Sequence, residues 1–337
     1  LRVFDFLNLS NPVENFWTTT PYSLLPDNSL ILLNFAKNAG HNSNTALLSQ
    51  GLKQLPVDFD YVFIDDSYDP MKLSDIQIQG TVELVAQHFT KSHVIFLSSK
   101  CSHYYSDQKH ILWYPFWLLS EYPTVVQPRQ RRIGCLNRRN ALHRIWLMHN
   151  LLSQNLIDHD RDIFSMAFAN VHDHHRLDNS IDQWLGLGNT NHNQLIAQYP
   201  NLIATIPDNF PNDHGILHPA WHTAVTIVTE TECDELGMIT EKTVKALAAR
   251  CCWIAYTGSY SIRVLTSLGF ETQLFDQHAT GRNIDPIVQV CKTLDTESVA
   301  MDYYNSKISQ ITHNQQHHSH GWLTQYVPKL KQALGLL

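Results

Sequence analysis

The segment Met238-Ile239-Thr240-Glu241-Lys242-Thr243 places two opposite charges and two hydroxyls where an apolar turn gives way to the helix-like TEKTVKALAARC. Thr240 is a suitable N-cap, and Glu241 suits the positive end of the helix dipole. That dipole disfavours Lys242 in the first turn, and an anionic ligand at the helix start would reverse the sign. Just upstream, the strand AVTIV runs into Thr229-Glu230-Thr231-Glu232 and an acidic loop. Another polar junction follows the strand IGCLN: Asn137-Arg138-Arg139, with His143 and Arg144 a turn further on. Guanidinium groups at a helix start suit bidentate capture of a phosphate; a solvated basic turn, or Arg144 paired with a carboxylate, accounts for the same residues. The loop Thr257-Gly258-Ser259-Tyr260 contributes a glycine that permits close backbone approach, by a ligand or within a simple turn.

These residues need a scaffold, and the apolar pattern supplies one. RVFDFL, SLILLNFA, DYVFIDD, HVIFLSS and ILWYPFW are short runs suited to strands buried on both faces of a parallel sheet, with helical spacing in TALLSQGLKQL and IQIQGTVELVAQHFT between them. YPTVVQPRQRR, Tyr122 to Arg132, has the prolines and charge of a linker. The rhythm restarts with IGCLN, NALHRIWLMHNLLSQN and DIFSMAF, passes a polar region from Asn170 to His214, and resumes in AVTIVTE, TEKTVKALAARC, WIAYTG, SIRVLTSLG and a short strand TQLFD. The expectation is α/β, with two doubly wound, Rossmann-like domains at 1–127 and 128–300, a cleft between them, and a helical tail at 301–337. In open α/β sheets, ligands sit beyond the carboxyl ends of the strands, where the junctions above fall.

The order of these features resembles the nucleotide-sugar-binding domain of GT-B glycosyltransferases of the fucosyltransferase/exostosin-like type. In the α1,3-fucosyltransferases the pattern is FENS, a short loop, then Y-x-T-E-K. Here Val228-Thr229-Glu230-Thr231 stands in for the first part and Met238-Ile239-Thr240-Glu241-Lys242 for the second, with Thr231 in place of Asn, Met238 in place of Tyr and a slightly longer loop. The resemblance runs from about residue 131 to about residue 275. It implies an inverting, metal-independent transfer from a nucleotide-sugar donor, a GDP-deoxyhexose first, to a glycan or lipid-linked hydroxyl. It further implies that Glu241 accepts hydrogen bonds from the ribose, that Lys242 with Arg139 or Arg144 balances the diphosphate, and that no cofactor beyond the donor is required.

An inverting transfer needs a base to deprotonate the acceptor. Asp65 and Asp66 after DYVFI, and His41 in KNAGHNSN, are candidates from the first domain, although adjacent carboxylates at a strand end also cap helices. Trp221, in GILHPAWH, is either a sugar-stacking platform for the acceptor or a core residue. The neighbouring His218-Pro219 pair keeps a CMP-sugar donor of the sialyl or Kdo type as an alternative. VHDHHRLD and HNQQHHSH raise a metal-dependent hydrolase, but there is no HExxH and no nearby cysteine, so no metal ligands are assigned. A non-catalytic nucleotide-binding protein is the third alternative.

The bulk composition fits these readings. The 337 residues are 43% hydrophobic and 16% charged, suited to a folded protein of two domains. A net charge of -7 disfavours generic nucleic-acid binding. Six cysteines without CxxC spacing suit reduced core thiols in the cytoplasm. The start LRVFDFLNL resembles a first strand and not a signal peptide, and no apolar window spans a bilayer, which leaves only peripheral membrane contact open.

Overall fold

A computed structural model of the chain describes residues 1–5, 22–33, 35, 51–53, 55–67, 73–120, 122–137, 142–158, 160–166, 215–231, 233–234 and 236–337. His41, Arg139, His172, His174 and His175 lie outside the described residues. The chain is α/β and forms two compact units: Leu1–Glu121 with Leu323–Leu337, and Tyr122–Trp322. The division expected at 127/128 falls a few residues late, inside the extended linker. The tail expected from residue 301 is not a body of its own, since its first part belongs to the second unit and its end to the first.

In the first unit, β1 (Arg2–Asp5), β2 (Ser29–Leu33), β3 (Tyr61–Asp66), β4 (His93–Ser98) and β5 (Ile111–Trp113) form one parallel sheet in chain order. Strand alternation sends Leu30, Leu32, Val62, Ile64 and Phe96 to one face, where they form a core with Ile78, Val82 and Val85 of α1 (Asp75–His88). α1 starts at a capping box, in which Ser74 and Gln77 each satisfy the other's backbone N–H. On the other face Tyr61 stacks on Phe63 and His93 and donates its hydroxyl to the Leu334 carbonyl at 3.1 Å. Leu334 follows α9 (Leu323–Ala333), whose Tyr326 packs edge-on against Trp113 and donates to its carbonyl. A single turn, α2 (Phe116–Leu119), follows β5.

In the second unit the sheet order is β7-β6-β8-β9, from β6 (Ile133–Asn137), β7 (Ile163–Met166), β8 (Val225–Thr229) and β9 (Cys252–Tyr256), all parallel. The chain steps outward from β6 to β7, then returns to place β8 on the other flank of β6. That reversal is the mark of a doubly wound sheet. Among the described strands that reversal is seen in the second sheet, and the first is parallel throughout in chain order. Around it lie α3 (Leu142–Ser153), α4 (Glu241–Ala248), α5 (Ser259–Ser267), α6 (Asp285–Thr293), α7 (Glu297–Ser306) and α8 (Ile308–Gln316). The expected strand TQLFD is instead a turn that buries Leu274 and Phe275.

Two features lock this sheet. Gly134 lies beneath the 3₁₀ turn Pro219–His222, where an added Cβ would meet the Ala220 carbonyl at 2.3 Å. Arg132 and Asp162 form a buried bidentate pair at 2.9 and 2.5 Å, and the guanidinium also donates to the carbonyls of Leu156, Cys291 and Leu294. All six cysteines are free thiols. Burial pushes Cys135 and Cys291 up to about 12, which leaves them unreactive core groups.

Candidate functional site

The reversal between β6 and β8 brings Asn137 and Thr229, the last residues of these strands, side by side. The Thr229 hydroxyl donates to the Asn137 Oδ1 at 2.5 Å, and the Asn137 amide reaches the Cys135 sulfur at 3.3 Å. Asn137 is therefore wholly buried and joins two strands from within.

Glu230, the next residue after β8, is also fully buried. One carboxylate oxygen accepts the backbone N–H of Thr240 at 3.1 Å, that of Thr243 at 3.3 Å and the Thr243 hydroxyl at 2.5 Å. The other accepts the Thr240 hydroxyl. The anion at the start of α4 is thus the protein's own carboxylate, laid across N–H groups that a helix cannot satisfy internally. Thr240 serves at once as N-cap to the Lys242 N–H and as a ligand of Glu230.

Arg144 corrects an expectation. It is 2% exposed and turns inward, donating to the backbone carbonyls of Thr229 at 3.2 Å and Glu230 at 3.1 Å. His143 donates to the same Glu230 carbonyl at 2.9 Å. These two side chains position the strand end.

Glu241 and Lys242 keep some access to solvent, with side chains 30% and 16% exposed. The Lys242 ammonium lies 3.1 Å from the Glu241 carboxylate, 3.3 Å from the Thr240 hydroxyl and 3.5 Å from the Thr231 hydroxyl. Burial pushes the Glu241 carboxyl up, but the Lys242 charge and hydrogen bond, with the backbone N–H at the helix start, bring it below its ordinary value. Lys242 is held beside the end of β8 despite the dipole by the Glu241 carboxylate and the Thr231 and Thr240 hydroxyls.

Gly258 also departs from expectation. A Cβ there would meet the Asp234 carbonyl at 1.9 Å and the Gly237 backbone at 2.5 Å. The close neighbour that requires glycine is the acidic loop itself, which crosses the start of α5 with Gly237 at φ 58°. Trp221 is 3% exposed and belongs to the core, and its carbonyl accepts from Arg129. It offers no platform for an acceptor sugar. Among the histidines of HNQQHHSH, His313 and His317 donate to the Gly269 and Leu268 carbonyls that end α5, and their rings stack at 5.2 Å. The i, i+4 spacing of His313 and His317 thus serves a helix-end cap. Among the described residues no group of three or more His, Cys, Asp or Glu side chains converges to hold a metal ion.

In the first unit Asp65 and Asp66 end β3, and both are buried. Asp65 accepts the Tyr22 hydroxyl at 2.5 Å on one oxygen, and the Ser67 N–H and hydroxyl at 2.8 and 2.5 Å on the other. Burial raises its pKa above the ordinary carboxylate range against the pull of those donors. Among the described residues no helix is long and apolar enough to cross a membrane. No protein-family model and no curated protein matches the chain.

Proposed function

We propose that the chain is a glycosyltransferase whose second unit binds the diphosphate of a nucleotide-sugar donor at the reversal between β6 and β8, in a GT-B arrangement with inverting, metal-independent chemistry. The observation that carries this reading is the placement of the Thr240-Glu241-Lys242 helix start. Through Glu230 it is bonded to the carboxyl end of β8, the point in a doubly wound sheet where ligands are held. Lys242 supplies positive charge for the leaving diphosphate, and Glu241 accepts from the ribose hydroxyls. Asn137, His143, Arg144, Glu230 and Thr240 are positioning residues. In the transfer, the acceptor oxygen forms a bond to the anomeric carbon, the bond to the diphosphate oxygen breaks, and the acceptor proton passes to a base. The candidates for that base are Asp65, Asp66 and His41.

The test is calorimetry with GDP, UDP and CMP, followed by nucleotide release from GDP-fucose in the presence of glycan acceptors. GDP binding that Lys242→Ala weakens far more than it weakens guanosine binding supports the reading. Failure of all three nucleotides to bind would sink it, and binding of CMP alone would move the donor to the CMP-sugar class. The enclosed state of Asp65 favours one second reading, a nucleotide-binding protein without transfer activity. In that case Asp66→Asn would spare nucleotide binding and there would be no transfer for it to remove.

A further inference from the structure

A cleft of about 740 Å³ opens on the first unit, within the range of ~300–1,000 Å³ usual for small-ligand sites. One wall is the segment after β4, including Tyr104, Tyr105 and Asp107. The floor holds Tyr61 and His93 from the starts of β3 and β4, and the far wall is the end of α9 with Lys329 and Gln332. Tyr105 is 39% exposed, and its ring stands at 85° to that of Tyr104. The Lys329 ammonium lies 3.9 Å above the Tyr104 ring. Asp107, Lys109 and Gln332 are exposed along the rim.

The walls are fixed before any ligand arrives. His103 shares a 2.7 Å hydrogen bond with the Ser98 hydroxyl, and the Gln108 amide donates to Asp75 at 3.2 Å, so both ends of the wall segment are tied to the body of the unit. Tyr61 is held by its hydroxyl on the Leu334 carbonyl and by its ring on Phe63. Such preorganisation lowers the ordering cost of binding.

Flat rings beside carboxylate, amide and ammonium groups suit a ligand that carries an apolar face and a hydroxylated edge together. A pyranose has that character, with C–H bonds on its faces and hydroxyls around its rim. We infer that this cleft is a saccharide-binding site, with Tyr105 as the stacking surface and Asp107, Gln332 and the two lysines as hydroxyl and carboxylate partners. It is distinct from the candidate bases on β3. Tyr61 and Asp65 are four residues apart on β3, or roughly 13 Å at the usual rise per residue. It also stands whether or not the second unit binds a nucleotide.

The test uses the full chain, with ligand-observed NMR and calorimetry on maltotriose, chitotriose and 3′-sialyllactose, and with GMP as a planar competitor. The expected result is binding of at least one trisaccharide at about millimolar dissociation constant or tighter. Tyr105→Ala and Gln332→Ala, both exposed and away from the core, should each weaken it about tenfold or more with the melting temperature unchanged. Absence of binding for all three sugars, or binding that neither substitution alters, overturns the inference. Displacement of the sugar by GMP that is lost in Tyr105→Ala also overturns it, because the cleft would then select flat aromatic rings.

Discussion

The Glu230 carboxylate accepts both the backbone N–H and the hydroxyl of Thr243, thirteen positions along the chain, and so fastens the start of α4 to the end of β8. A negative charge here satisfies donors that would otherwise be buried without partners. Glu230→Gln retains the shape but turns an amide N–H toward those donors. It is expected to destabilise the second unit by about 2–3 kcal/mol, in the range for hydrogen bonds to charged groups. Urea denaturation followed through the buried Trp253 would show it, and an unchanged midpoint would remove Glu230 from this role.

Gly258 makes a separate prediction. Gly258→Ala drives a methyl group into the Asp234 carbonyl and the Gly237 backbone, neither of which is a flexible side-chain end. The loop 233–237 must shift, at an expected cost of about 1–3 kcal/mol. Hydrogen exchange should report faster opening at Ser261 and Gly281, whose N–H groups bond within this corner. Unaltered exchange at both would mean that the loop adapts freely.

Lys242 and Arg144 should separate binding from stability. Lys242 makes a partly exposed ion pair, so Lys242→Ala should change stability by no more than about 1 kcal/mol while weakening nucleotide diphosphate. Arg144→Met should instead lower stability by about 2–4 kcal/mol, because it strips donors from two buried carbonyls. Thermal melts and GDP titrations of the two variants, run side by side, should give opposite patterns. Equal effects on both measurements would merge the roles assigned to them.

Asp65 and Glu241 titrate in opposite senses. Asp65 has a folded-state pKa above its ordinary value, so its contribution to stability is fully present below that ordinary value and is lost as pH rises through the raised one. Glu241 is depressed, so its contribution is present above its ordinary value and is lost as pH falls through the depressed one. Asp65→Asn should therefore show a flatter stability profile just above the ordinary carboxylate range. Glu241→Gln should flatten the profile on the acid side instead. Melting curves across mildly acidic pH check both, and an Asp65→Asn profile as steep there as the parent's would count against the assignment for Asp65.

Much of the architecture was legible in the sequence because burial on both faces of a parallel strand leaves a continuous apolar run, as in SLILL, YVFID and VTIVT. The N-cap at Thr240 was legible for a similar reason, since it depends on neighbours two residues away. TQLFD failed because two adjacent apolar residues, Leu274 and Phe275, cannot distinguish a short buried strand from a turn that buries both side chains.

What the sequence determined by itself is what short-range physics controls: the α/β alternation, the linker and the helix start at Thr240. What the tertiary structure decided is partnership over distance. Strand order put a reversal in one sheet and none among the described strands of the other. It turned Arg144 inward onto carbonyls 85 and 86 residues away, and it seated the acidic loop against Gly258. A buried cation is stabilised by whichever acceptors the fold brings to it, and no local pattern of residues specifies which acceptors those are.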